Sequence, residues 1–288
     1  MDPSDVARAT RSATVVATSL DLAVTETIVL QNSNKLSLRL LPCDVFARVG
    51  PVAHDHAAFE VDLATRLVVS GSPVVAPEPR VPARRYEHDG FELSLWTHHE
   101  PIASELSPAA YAKALEHLHV GMRDLDLEVQ HFTDRVAEAQ RIVDTADESP
   151  TLSTQEREFL AETIRRLRRG IAERGADEQV LHGEPHPGNV LHTEEGPMFI
   201  DLETCCRGPI EFDLAHVPGR VADHYPDVDQ VLLRDCRELV LAMVAAWRFE
   251  PDDQLPDGLA FGRALLRSLH AGPPWPTIDR VHADLSAS

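Results

Sequence analysis

Along the first hundred residues the apolar positions recur at two spacings. "ETIVLQ" (26–31) and "KLSLRLLP" (35–42) are apolar or alternating runs separated by "NSN", a turn-forming tripeptide. "DVFARV" (44–49) follows Pro42 and Cys43 and predicts a third strand, so the three read as a meander. "HDHAAFEVDLATRLVVSG" then sets Phe59, Leu63 and Leu67 at helical spacing and stops at Gly71. "ARRYEHDGFELSLW" alternates on either side of Asp89 and Gly90, the pair that a tight hairpin turn requires. Both periodicities are lost in "WTHHEPIASEL".

Beyond that break the helical period dominates. Ser107 and Pro108 have the residue types of an N-cap and a first helical position, ahead of an apolar stripe of Tyr111, Ala114, Leu115 and Leu118. Ser153 and Glu156 form a capping-box pattern ahead of Leu160, Ile164, Leu167 and Ile171. Further helices are predicted near 228–249 and 259–270. The pattern therefore predicts an α+β chain in two lobes. Residues 1–97 form a small antiparallel β-sheet with one helix on one face, and residues 98–288 a larger, mainly helical lobe.

Composition narrows the function classes. The chain has 288 residues, 43% hydrophobic and 26% charged, enough to bury a substantial core. Its formal net charge of −20 argues against nucleic-acid binding, which needs basic surfaces. The same charge is compatible with a cationic substrate, although a solvated acidic surface accounts for most of it. Cys43, Cys205, Cys206 and Cys236 form no CxxC pair, so reduced thiols and a cytoplasmic location are expected. The first residues carry two Asp and no apolar core of a leader peptide, and no apolar run is long enough to span a bilayer.

The candidate chemistry lies in "LHGEPHPGNVLHTEEGPMFIDLETCCRGPIEFDLAH" (181–216). Two Pro and two Gly keep "GEPHPG" out of a helix, and "VLH" and "MFID" read as short strands joined by "TEEGP". Glu184 and Asn189 thus sit on a loop and Asp201 at a strand end. Oxygen-bearing side chains of this kind suit Mg²⁺, which takes few protein ligands together with water and substrate phosphates. A carboxylate beside them can orient and deprotonate a hydroxyl, which is the layout of phosphoryl transfer. Fifteen His raise the alternative of a zinc hydrolase, but "HGEPH" differs in order from HExxH and cannot be helical. His54 and His56 fall at a helix start and read as exposed.

The stretch resembles the aminoglycoside phosphotransferase and choline kinase-like family, which shares the protein-kinase-like fold. That family carries H-G-D-x-H-x-x-N, a strand ending in I-D, and a G-P/D-x-x-x-D-L-A segment. This chain has "HGEPHPGN", "FID" and "GPIEFDLA" in that order. The order of lobes matches across nearly the whole chain, and the sharp match is confined to Leu181–Ala215. The resemblance implies a bilobal kinase-like fold, a nucleotide-binding lobe over 1–97, and a catalytic and substrate-binding lobe over 98–288.

It also implies roles. Glu184 stands at the position of the family's catalytic Asp, His182 supports the loop backbone, and Asp213 braces the loop. Asn189 and Asp201 are the implied metal ligands. Glu203 is a further metal contact, with solvent exposure as its alternative. Arg48 stands for the phosphate-contacting Lys, with Glu60 as its ion-pair partner. Trp96, Thr97 and His98 belong to a hinge that offers backbone hydrogen bonds to adenine. The implied activity is an ATP- or GTP-dependent, Mg²⁺-requiring small-molecule kinase acting on a hydroxyl. A cationic acceptor such as an aminoglycoside or other basic antibiotic fits the acidic balance. Neither nucleic acid nor membrane is expected as a partner, and the oligomeric state is left open.

Three departures, Glu184, Arg48 with its planar fork in place of a point charge, and the missing glycines, support the alternative of a weak or inactive pseudokinase that binds nucleotide as a regulatory module. Glu for Asp at 184 adds one methylene, about 1.5 Å of reach, where shifts of about 1 Å matter. The first Gly of the chain is Gly50, so "QNSNK" (31–35) must cover the nucleotide without a glycine-rich loop.

Overall fold

The computed structural model describes residues 1–33, 35–52 and 56–286. The chain divides into two compact units. One contains Met1–Ser104 with Leu191–Glu203, and the other contains Glu105–Val190 with Thr204–Ser288. The first unit therefore extends past the 97/98 division by seven residues and takes back a later segment.

The first unit begins with helix α1 (Pro3–Ser19), followed by β1 (Val24–Asn32), β2 (Leu36–Pro42), β3 (Val45–Pro51), α2 (His56–Val69), β4 (Tyr86–His88) and β5 (Phe91–Thr97). The described strands form an antiparallel sheet in the order β1-β2-β3-β5-β4. The meander and the hairpin are where the alternation put them. Asp89 and Gly90 both have positive φ, 49° and 79°, as a two-residue hairpin turn demands.

Alternation gives the sheet two unlike faces. Leu36, Leu38, Leu40, Val45, Ala47, Val49, Leu93 and Leu95 pack with Ala9, Ala13, Val16 and Ala17 of α1 in one core. Arg48 lies on the opposite face of β3, paired across the strands with Ser37 and Ser94, whose small side chains leave room for a guanidinium. The sequence pattern gave this sheet one helix, α2; α1 is a second. Its buried stripe is Ala9, Ser12, Ala13, Val16 and Ala17, mostly small side chains and too weak an apolar signal to stand out, although Asp2 caps it and Pro3 opens it. Asn34 of the β1–β2 loop and His54 lie outside the described residues, as does the side chain of His56.

The second unit is mainly helical. It contains α3 (Pro108–Arg123), α4 (Phe132–Asp144), α5 (Thr154–Arg174) and the short strand β6 (Gln179–Leu181). A hairpin of β7 (Val190–Thr193) and β8 (Gly196–Phe199) follows, belonging from Leu191 onward to the first unit. The chain returns as β9 (Cys206–Gly208), α6 (Ile210–Leu214), α7 (Gly219–Ala222), α8 (Gln230–Trp247), α9 (Gly258–Ala271) and α10 (Ile278–Ser286). Ser107 and Ser153 cap α3 and α5, the latter through a complete capping box with Glu156. α8 packs against α4, α5 and α9. No helix among the described residues is long and apolar enough to cross a membrane.

Candidate active site

In the first unit the polar face of β3 carries a charge cluster. The Arg48 guanidinium donates to Glu60 Oε1 at 3.0 Å and to Asp201 Oδ1 at 2.9 Å, and lies 3.7 Å from Glu203 Oε1. Lys35 pairs with Glu203 Oε2. Two cations thus share three carboxylates.

Glu60 is buried, and burial pushes its carboxyl up to about 7 against the pull of Arg48. Burial works against the charge on Arg48 as well, but Glu60, Asp201 and Glu203 outweigh it and raise its pKa. Glu60 also accepts the Leu202 N–H at 3.2 Å, which ties α2 to the segment after β8. That segment is anchored from behind, because Phe199 exchanges backbone hydrogen bonds with Pro73 and Val75. Asp201 itself is left-handed, φ 65°, a conformation that Asp tolerates better than most residues.

Arg48, Glu60, Asp201 and Glu203 are therefore brought together as a group. Lys35 was missed, because its partner is 168 residues away in sequence.

The hinge candidates behave differently. Trp96 is buried and its indole N–H donates to Ser94 Oγ at 2.8 Å. The Thr97 N–H is committed to Ala76 O at 3.0 Å. His98 has its ring 3.4 Å from Asp44, and burial lowers its pKa. The Thr97 amide thus completes a backbone pairing.

In the second unit Asp213, on α6, is the brace. Its Oδ2 accepts from His182 N at 2.9 Å and is bonded to His119 Nε2 at 2.9 Å; its Oδ1 accepts from Gly183 N at 2.8 Å. Burial raises the Asp213 carboxyl, but the hydrogen bond and charge of His119 overcome this and leave it below its usual range. His119 is held in turn by the Tyr225 hydroxyl at 2.7 Å. His182 is fully buried, and its Nδ1 accepts the Glu184 N–H at 3.4 Å.

Gly183 is needed here on two counts. Its φ is 89°, and an added Cβ would fall 2.0 Å from Thr204 O. Gly183→Ala is expected to destabilise the protein by about 2 kcal/mol or more, read as a lowered urea midpoint. An unchanged midpoint would show that the loop can shift freely.

Glu184 meets a partner that the sequence did not announce. Arg135, from α4, pairs with its carboxylate and donates to Gly183 O at 3.4 Å, while its guanidinium lies 5.0 Å from the Trp247 ring centroid. Burial raises the Glu184 carboxyl, but Arg135 outweighs it and holds Glu184 below its usual range. His216 is close by; burial lowers it to about 4, so it is neutral near pH 7. Asn189 donates through Nδ2 to Glu184 O at 3.0 Å, and the Tyr111 hydroxyl donates to Pro185 O at 2.6 Å, so the loop is pinned along its length. Glu211 is buried and accepts the Asp229 N–H at 3.0 Å.

The donors suit a hard cation. Arg48 takes Oδ1 of Asp201 and leaves Oδ2 without a hydrogen bond among the described residues. Asn189 uses its amide nitrogen and leaves its oxygen available. No group of three or more His, Cys, Asp or Glu side chains among the described residues could hold a metal alone. The free carboxylate oxygen in the first unit and the free amide oxygen in the second are each hard donors, of the kind Mg²⁺ takes beside water and phosphate oxygens.

Comparison with known families now decides the assignment: the model of the phosphotransferase enzyme family matches residues 44–261. The chain belongs to this family. Among solved structures, this phosphotransferase is similar in fold to amicoumacin kinase hAmiN in complex with AMP-PNP, Ca²⁺ and Ami, with a TM-score of 0.71 at 10% identity, covering 97% of this chain and 100% of that one. It is similar to the GDP complex of aminoglycoside 2′-phosphotransferase-IIIa, TM-score 0.68 at 13% identity, covering 90% and 97%. It is similar also to choline kinase LicA from Streptococcus pneumoniae, TM-score 0.62 at 14% identity, covering 96% and 99%. No curated protein matches it in sequence. The kinase-like fold expected from the sequence is the fold observed.

Proposed function

We propose that this phosphotransferase moves the terminal phosphoryl group of ATP or GTP to a hydroxyl of a small, cationic acceptor, of the aminoglycoside or basic-antibiotic kind. The observation that carries the reading is the Arg48 guanidinium held between Glu60 at 3.0 Å and Asp201 at 2.9 Å. A strand cation fixed by a helix carboxylate is the element that kinase-like folds use on the inner phosphates. Arg48 offers them a planar fork rather than a point charge. The residues that would hold Mg²⁺ are Asp201 and Asn189, with Glu203 as a further carboxylate, and the ion would offset the charge of the donor phosphates. Glu184, ionised beside Arg135, accepts the hydrogen bond of the acceptor hydroxyl and takes its proton. Asp213 keeps the loop that bears Glu184 in shape. The net charge of −20 supports a cationic acceptor.

The test is nucleotide turnover with Mg²⁺ and ATP or GTP against a panel of aminoglycosides, peptide antibiotics, choline and sugars. Acceptor-dependent ADP or GDP release with a phosphorylated product by mass is the expected result. A second reading, a nucleotide-binding regulatory module without turnover, is favoured by the engagement of Glu184 with Arg135. Tight Mg·ATP binding with silence across the panel would select it.

A further inference from the structure

We infer that Lys35 is a second contact for the donor phosphates, delivering by side chain the positive charge that a glycine-rich loop delivers by backbone. This rests on the nucleotide-dependent reading above and deepens it. β1 and β2 remain paired up to Asn32 and Leu36, so the loop between them spans only residues 33–35. The Ser33 N–H donates to Lys35 O at 3.2 Å, which fixes the point where Lys35 leaves the backbone. A loop with no glycine before Gly50 brings its amides close to phosphates less readily. A long side chain can supply charge from further away.

The Lys35 side chain does not extend into solvent. Its stem lies over Gly50 of β3, where an added Cβ would come within 3.3 Å of Cγ and 3.8 Å of Cδ and Cε. Its side chain keeps only 18% of its exposure. Its ammonium group pairs with one oxygen of Glu203, while the other oxygen of the same carboxylate lies 3.7 Å from Arg48. A single anionic group thus engages both cations. A polyphosphate presents a row of such oxygens, and two cations that share one carboxylate can share neighbouring phosphates. The four-carbon stem lets the ammonium transfer from Glu203 to phosphate without moving the backbone.

The test is calorimetric binding of Mg·ATP, Mg·ADP and AMP to the wild-type chain, Lys35→Met and Lys35→Arg, with folding checked by circular dichroism. Lys35→Met is expected to weaken Mg·ATP about tenfold, the scale of one charge-assisted contact, Mg·ADP less, and AMP not at all. Lys35→Arg is expected to restore most of the loss. An unchanged Mg·ATP affinity in Lys35→Met overturns the inference. So does an equal loss for all three nucleotides, which would mark a structural role for the loop. If the wild-type chain binds none of them, the nucleotide reading itself falls, and this inference with it.

Discussion

Asp201→Asn is expected to lower Mg²⁺-dependent turnover by about 10³-fold, the several kcal/mol that a charged metal ligand contributes. The substitution is nearly isosteric, and Asn tolerates the left-handed backbone that Asp201 adopts at φ 65°. Arg48 keeps Glu60, its buried partner at 3.0 Å, so no cation is left unpaired. What is lost is the negative charge, and with it a hard ligand for the ion that accompanies the phosphates. The melting temperature should move by only a few degrees, since a change of about 1 kcal/mol shifts a chain of this size by roughly 2–4 °C. Titration with ATP in the presence and absence of Mg²⁺ should show that the metal no longer improves binding. Wild-type Mg·ATP affinity and turnover in a folded variant would remove Asp201 from the metal site.

Glu184→Gln is the second large effect. It should leave Mg·ATP affinity intact and cut kcat by about 10²- to 10⁴-fold, the contribution of a positioned general base. The amide cannot take a proton, and its oxygen binds Arg135 more weakly. A stability loss of about 1–2 kcal/mol accompanies the change, because a mostly buried guanidinium loses its counter-charge; its contact with Trp247 remains. Glu184→Asp should also fall below the wild type in turnover. The extra methylene is the reach that brings the carboxylate to Arg135 on α4, so shortening the arm separates the pair. Single-turnover kinetics separates chemistry from binding. Full activity in Glu184→Gln would exclude Glu184 as the group that orients the acceptor, and full activity in Glu184→Asp would show that the reach to Arg135 is not needed for turnover.

Much of the framework was readable because its signals are local. Ser107 with Pro108, Ser153 with Glu156, and Asp89 with Gly90 each mark an element end within four residues. Helices were missed where the local signal is weak. α1 buries alanines, and α4 is capped by His131, a residue seldom found in that role, although Phe132, Val136 and Val143 form a regular buried stripe. The candidate residues between His182 and Asp213 could be named because "HGEPHPGN", "FID" and "GPIEFDLA" resemble the family's motifs in order. Their partners could not. Arg135 is 49 residues from Glu184, His119 is 94 from Asp213, and Lys35 is 168 from Glu203.

Sequence alone therefore determined most of the elements and their order, since backbone preference and short-range spacing act over a few residues, and its likeness to the family's motifs named the candidate carboxylates, amide and guanidinium. Tertiary structure decided what those groups face: Glu184 held by Arg135, Arg48 shared between Glu60 and Asp201, Lys35 drawn over Gly50 to Glu203, and the Thr97 amide committed to Ala76. Charge pairing and burial depend on distance in space, and only packing brings together residues that the chain keeps far apart.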